Sequence, residues 1–152
     1  MKVNGSVVVG APREQVWRIF LDPTQLCTVI PGCEQAQQID ATHYEAVMSV
    51  KVQFMTIRSK AKGTLLEADA PHHMVGELVG EPVSMAGAFR ARVTIDLVDE
   101  GEMTDVRYAM DLTLLGRLAS LGEAIVRSTS QKLTRQFADN IALLFSSPDP
   151  SS

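Results

Sequence analysis

The fold turns on residues 106–145, VRYAMDLTLLGRLASLGEAIVRSTSQKLTRQFADNIALLF. In its first part Val106, Tyr108, Met110 and Leu112 alternate with Asp105, Arg107, Ala109 and Asp111, the period of two of a strand with one apolar face. From Gly116 onward the apolar residues fall at Leu118, Leu121, Ile125, Leu133, Phe137, Ile141 and Leu144, three, four or eight apart. That spacing predicts one amphipathic helix over 116–145, of about eight turns. Gly122 lies inside it, where a glycine costs ~1 kcal/mol relative to Ala and needs a packing or space-making reason.

Upstream of this stretch the period is two almost throughout. Val3, Gly5, Val7 and Val9 predict a strand over 2–9. Pro12, with Glu14 behind it, opens a short helix that carries Val16, Trp17, Ile19 and Phe20 and ends near Leu21. Asp22 caps a second short helix, with Pro23 in its first turn and Leu26, Val29 and Ile30 following, and Pro31-Gly32 stops it. Residues 33–40 and 43–53 read as a hairpin. In 56–68, Ile57, Ser59, Ala61, Gly63 and Leu65 alternate with Arg58, Lys60, Lys62 and Thr64. Met74, Gly76 and Leu78 form the next apolar row, broken at Gly80-Glu81-Pro82. Phe89, Ala91, Val93, Ile95 and Leu97 form the row after that. The order is one strand, two short helices, six strands and a long helix. Hairpin connections make the seven strands antiparallel, and only the last helix is long enough to cover the apolar face of the sheet. The class is α+β: a curved sheet wrapped around one helix, in a single domain over 1–145. The polar segment 146–152 is expected to be a disordered tail.

Composition narrows the function. The chain has 152 residues, 45% apolar and 21% charged, which suits one globular core and excludes a disordered or collagen-like chain. A net charge of −4 argues against general nucleic-acid binding, which needs a basic face. No apolar run approaches the ~20 residues of a membrane-spanning helix. The first residues read as strand rather than as a signal peptide, and a cytoplasmic location is expected. Aromatic residues are 5%, whereas Met numbers seven, a filler suited to adaptable apolar spaces.

The residues that could carry chemistry are few. Cys27 and Cys33 fit no zinc, haem or CxxC spacing, so both read as unreactive structural residues, Cys33 in a tight corner. His72 and His73 point to opposite sides of a strand and, with His43, read as solvated turn residues rather than metal ligands. No nucleophile elbow and no phosphate-binding glycine loop occurs. Glu45, Glu77 and Asp111 fall on the outward registers; a one-residue slip would bring one inside as an acid–base group. Lys51, Arg58, Lys60, Lys62, Arg90 and Arg92 form an outward basic set, either a docking surface or the mixed-charge outer face of a sheet. Neither a metal nor a cofactor is expected.

Two stretches carry a resemblance. Ala11-Pro12-Arg13-Glu14-Gln15-Val16-Trp17, then Asp22 and Ile30-Pro31-Gly32-Cys33-Glu34, look like the opening of the carbon monoxide dehydrogenase G-subunit (CoxG) family. Gly116-Arg117-Leu118-Ala119-Ser120-Leu121-Gly122 is similar to that family's approach to its last helix. The resemblance spans 1–145 and places the chain in the helix-grip superfamily, also called SRPBCC, START-like or Bet v1-like. It implies a non-catalytic protein that binds a hydrophobic ligand and serves a molybdenum-containing hydroxylase of the carbon monoxide dehydrogenase type, linking it to the membrane or to its quinone acceptor. Some relatives carry a C-terminal membrane anchor; a chain ending at Ser152 fits a diffusible carrier, with peripheral contact at the inner membrane face and a homodimer as compatible states. Within the expected cavity, Leu26, Ile30, Ile57, Met74, Leu78, Met85, Phe89, Met110, Leu121 and Ile125 supply apolar walls, Tyr108 a polar handle, and Gly122 room for a ligand tail. Loop 80–88 is expected to form the rim with Leu26 and Ile30. Two alternatives stand beside the quinone carrier: an assembly or maturation factor for such a hydroxylase that binds nothing small, and a small cyclase or hydrolase using the same cavity.

Overall fold

In the computed structural model, residues 1–146 are described; the expectation for the tail falls, from residue 147 on, outside them. The chain runs β1 (Lys2–Val9), α1 (Arg13–Leu21), α2 (Pro23–Val29), β2 (Cys33–Gln38), β3 (His43–Val52), β4 (Met55–Asp69), β5 (His73–Pro82), β6 (Ala88–Glu100), β7 (Met103–Leu115), a 3₁₀ helix (Gly116–Leu121) and α3 (Glu123–Phe145). The strands form one antiparallel sheet in the order β1-β7-β6-β5-β4-β3-β2. The first strand pairs with the last, α1 and α2 carry the chain from β1 to β2 at the opposite edge, and each connection from β2 to β7 is a hairpin. This is the helix-grip architecture.

The local signals explain the short helices. The Asp22 carboxylate accepts hydrogen bonds from the backbone N–H groups of Thr24 (3.1 Å) and Gln25 (3.3 Å), with Pro23 in the first position of α2. Thr104, fully buried on β7, donates its hydroxyl to the Ala11 carbonyl at 2.7 Å and fixes the turn from β1 into α1.

Three expectations are corrected. The helix over 116–145 is not continuous: its first turns are 3₁₀, and Gly122 stands at the N-cap of α3 with φ +90° and ψ 149°, a conformation that favours glycine. The spacing of Leu118, Leu121 and Ile125 suits both helix types over so short a span, so the period could not show the break. β5 runs on through Gly80 to Pro82, which pairs with Ser59 at the end of the ladder, and the connecting loop shrinks to residues 83–87. Gly80 stays in the strand because the Phe89 ring of β6 lies over it; a Cβ there would collide with that ring. Third, Cys27 and Cys33 are joined as a disulfide, with Cα atoms 5.3 Å apart. The bond links α2 to the start of β2 around Pro31-Gly32. Six-residue spacing matches no metal or redox motif, so nothing in the pattern signalled it.

Candidate ligand cavity

Cross-strand register settles which residues face α3. Val3, Gly5, Val7 and Val9 sit opposite Met110, Tyr108, Val106 and Thr104. Those in turn face Val93, Ile95 and Leu97, then Met74 and Gly76, then Leu65. The concave rows are therefore the apolar ones, and the alternation is interrupted by register shifts between Leu65 and Glu67 in β4 and between Cys33 and Gln35 in β2. Glu45, Glu77 and Asp111 lie in the alternate, convex rows, beside Lys62, Arg92 and Arg92 respectively.

Two separate clusters of buried apolar side chains occur among the described residues. The main one joins Val9, Ala11, Val16, Trp17, Phe20, Val29, Met74, Ile95, Leu97, Val106 and Ile141 at the end held by α1 and α2. The smaller one consists of Val52, Ile57 and Leu118, with Met85, Phe89, Leu121 and Ile125 packed on it, at the hairpin end. Between them Leu78, Met110 and Leu112 are only half-buried. Helix α3 packs closely against β1 and α2 and stands off from the middle strands of the sheet. Gly76 measures the gap: a Cβ on its concave side would meet the Thr64 carbonyl oxygen at 3.7 Å and no other atom within 4 Å. A Cβ on Gly63 would have Tyr44 and Leu78 side-chain atoms at 3.6 and 3.7 Å as its nearest neighbours, none from α3. Around Gly76 the concave face is therefore left uncovered by α3, an open hollow bordered by apolar and small residues.

The structure divides the expected site residues. Leu26, Met74 and Tyr108 belong to or pack on the main cluster, whereas Ile57, Met85, Phe89, Leu121 and Ile125 belong to the smaller one. Only Leu78 and Met110 sit on the half-buried concave stretch between the two. Ile30 is half-buried at the C-cap of α2. The expected rim is not formed as read, because Leu26 and Met85 pack on different clusters. Gly122 is exposed, and an added Cβ would meet nothing within 4 Å, so its role is backbone conformation and not room for a tail. Of the expected helix stripe, Ile141 and Phe137 reach the main cluster and Leu118, Leu121 and Ile125 the smaller one; Leu133 is half-buried between them. The small residues Gly63, Gly76 and Ala91, which the alternation directs toward the space between sheet and helix, do lie on the concave rows, although Gly76 is not among the expected ligand-lining residues.

Tyr108 is less free than expected of a ligand's polar handle. Its hydroxyl donates to the Thr134 carbonyl of α3 over a long 3.5 Å, and its ring meets Phe137 edge-on at 5.4 Å between centroids. Burial, and then the charge of Asp139, raise its pKa above the ordinary tyrosine value. Gly5 makes this placement available, since a Cβ there would lie 2.7 Å from the ring carbon bearing the hydroxyl. The hydroxyl thus lies over β1, on the far side of β7 from Gly76.

The three histidines sit in ordinary surface pairings. His43 contacts Asp40 at 2.8 Å, His72 contacts Asp69 at 2.8 Å, and His73 lies between Asp96 (2.6 Å) and Glu67 (3.4 Å). The first contact helps, after the Thr42 backbone N–H, to hold the Asp40 carboxyl below its usual range. On the convex face Lys60 is opposite Glu81, and Arg58 pairs with Glu34 at 3.1 Å, the mixed-charge reading of the basic set. A depression of about 740 Å³ on this face is lined by Gln35, Gln37, Glu45, Lys60, Lys62 and Glu81 beside Val47 and Val79, too polar for a long apolar ligand.

The strand order and the long helix on the concave face define the chain as a helix-grip protein. Residues 5–145 match the carbon monoxide dehydrogenase G-subunit (CoxG) family, and the chain belongs to it. No curated protein matches the chain. Among solved structures it is similar to a conserved protein from Geobacillus kaustophilus, 23% identical over 96% of this chain and 95% of that one, with a TM-score of 0.85. It is also similar to the Zhui aromatase/cyclase from a Streptomyces species, with 11% identity, coverage of 96% and 93%, and a TM-score of 0.72. A protein from Chromobacterium violaceum has 19% identity, coverage of 97% and 99%, and a TM-score of 0.67. At these identities the three establish the fold alone. No helix among the described residues is long and apolar enough to cross a membrane.

Proposed function

We propose that the protein is a non-catalytic carrier of a hydrophobic ligand, a respiratory quinone, serving a molybdenum-containing hydroxylase of the carbon monoxide dehydrogenase type from the cytoplasmic side, with peripheral contact at the membrane. The observation that carries this reading is the hollow at Gly76, bounded by apolar and small residues, with the sheet carboxylates Glu45, Glu77 and Asp111 on the opposite face. Family membership points to the hydroxylase as partner. An isoprenoid tail suits the apolar concave rows, at ~0.8 kcal/mol per buried CH₂. A fatty acid would need a cation inside, and the concave rows supply none.

The test is titration of a short-chain menaquinone or ubiquinone analogue, followed by calorimetry and by quenching of Trp17, which sits in the main cluster. Saturable, roughly equimolar binding is expected. Gly76→Phe should fill the hollow and abolish binding with circular dichroism unchanged. Absence of binding by folded protein, or undiminished binding by folded Gly76→Phe, would overturn the proposal.

A further inference from the structure

The hairpin end of the molecule exposes large apolar side chains that no core needs. Phe54, at the tip of the β3–β4 turn, is 100% exposed; Met55 beside it is 44% exposed, Val83 58% and Leu115 52%. These residues share one end of the sheet. Met55 pairs with Val52, the Val83 N–H donates to the Arg58 carbonyl at 2.8 Å, and Leu115 pairs with Ala88. The turn holding Phe54 is tight, with Gln53 at φ +53°, so the ring projects beyond the strand ends.

The strand-end segments here are basic, with Glu34, Glu81 and Glu123 just outside them. Segments 50–58, 83–90 and 113–121 contain Lys51, Arg58, Arg90 and Arg117 and no carboxylate, although the whole chain carries −4. Arg58 is already paired with Glu34, which leaves Lys51, Arg90 and Arg117. A projecting aromatic tip with unpaired cations at the same end of the sheet matches the chemistry of an anionic bilayer surface, where apolar side chains enter among acyl chains and cations meet headgroup phosphates. A single tip offers far less than the roughly 800 Å² per partner of a stable protein interface, and a bilayer needs no complementary pocket.

We propose that the hairpin end is the surface by which this protein rests on an anionic lipid bilayer, Phe54 and Met55 inserting and Lys51, Arg90 and Arg117 facing the phosphates. The proposal rests on the peripheral membrane contact included in the proposed function and gives that contact a location. It does not depend on the ligand's being a quinone.

The experiment is flotation of the full chain with vesicles of phosphatidylcholine alone and of phosphatidylcholine with phosphatidylglycerol. Binding is expected only with the anionic lipid and should weaken as salt is raised. Phe54→Asp, at a position that touches no core, should weaken it about tenfold or more. Lys51→Gln and Arg117→Gln should each weaken it about fivefold. A single tryptophan placed by Phe54→Trp in a Trp17→Phe background should shift to shorter wavelength on binding and be quenched by brominated acyl chains. If the Trp17→Phe background does not fold, the flotation series on otherwise native protein still decides. No binding to anionic vesicles, binding indifferent to Phe54, or a Phe54→Asp effect on self-association instead of flotation would overturn the proposal. Vesicle binding without quinone binding would uphold this surface while removing the quinone, and the reverse would do the opposite.

Discussion

Gly80→Ala is a one-methyl change with a defined collision. Gly80 and Phe89 are register partners on β5 and β6, and the ring covers the glycine. A new Cβ would fall inside the contact shell of two ring carbons and 3.1 Å from a third, Cδ1. Ordinary contact begins near 3.4 Å, so the ring must leave its place, and Phe89 is one of the side chains packed on Val52, Ile57 and Leu118. Overpacking of this kind costs about 1–3 kcal/mol. The lost freedom of the unfolded chain on replacing glycine returns about 0.4–1 kcal/mol. The net expectation is a loss of about 1–2 kcal/mol. At about 2–4 °C per kcal/mol for a chain of this size, the melting temperature should fall by several degrees. Urea unfolding of Gly80→Ala, Phe89→Leu and the double variant closes a cycle. With the ring gone the alanine should cost nothing further, a coupling of about 1 kcal/mol or more. A Gly80→Ala loss that is the same in both backgrounds would refute the collision, as would no loss at all.

Gly122→Ala should destabilise by about 1–3 kcal/mol although nothing lies within 4 Å of the new methyl, because the strain is in the backbone; a melting temperature unchanged within a degree would show that α3 starts in another conformation. His73, between Asp96 and Glu67, has its pKa raised chiefly by the Asp96 hydrogen bond. Its contribution to stability is therefore full below the ordinary histidine value and lost as pH rises through the raised one. In a proton NMR titration Asp96→Asn should move the His73 midpoint back down, and an unmoved midpoint would count against the pairing. Cys27→Ser should cost about 2 kcal/mol in oxidised protein by opening a short loop, and nothing in the presence of reductant; equal stability of both forms in oxidant would mean the bond is not made.

The period of two made the concave face legible, since a half-buried strand writes its buried side into every second residue. Asp22-Pro23 fixed the start of α2 for the same local reason: a cap and its first turn are contiguous. What stayed hidden depends on distant partners. Gly80 looks like a strand breaker until the Phe89 ring is placed over it. Gly122 looks like an interior helical glycine, since apolar spacing does not carry the sign of φ. Leu26 and Met85 both read as rim residues because a helix stripe and the make-up of a loop do not carry a position along the grip. The pairing of Cys27 with Cys33 depends on the corner at Gly32, where the backbone turns at φ +82°.

Helix α3 is fastened along one side and at one end. Its C-terminal half is tied through Phe137 and Ile141 to the main cluster, and the Asn140 amide donates to the Val29 carbonyl at 3.1 Å. Its close strand partner is β1, at one edge of the ladder, while its other end follows a glycine and three buried side chains. Mechanically this is a hinged cover. Swinging the free side outward disturbs the small cluster and spares the large one, whereas pushing along the hinge meets the wall built by α1 and α2. Such a space yields in girth and is fixed in length. Among occupants with the same head, the protein should tolerate bulk and discriminate by chain length, with affinity rising for each added unit until the tail reaches that wall and then rising no further.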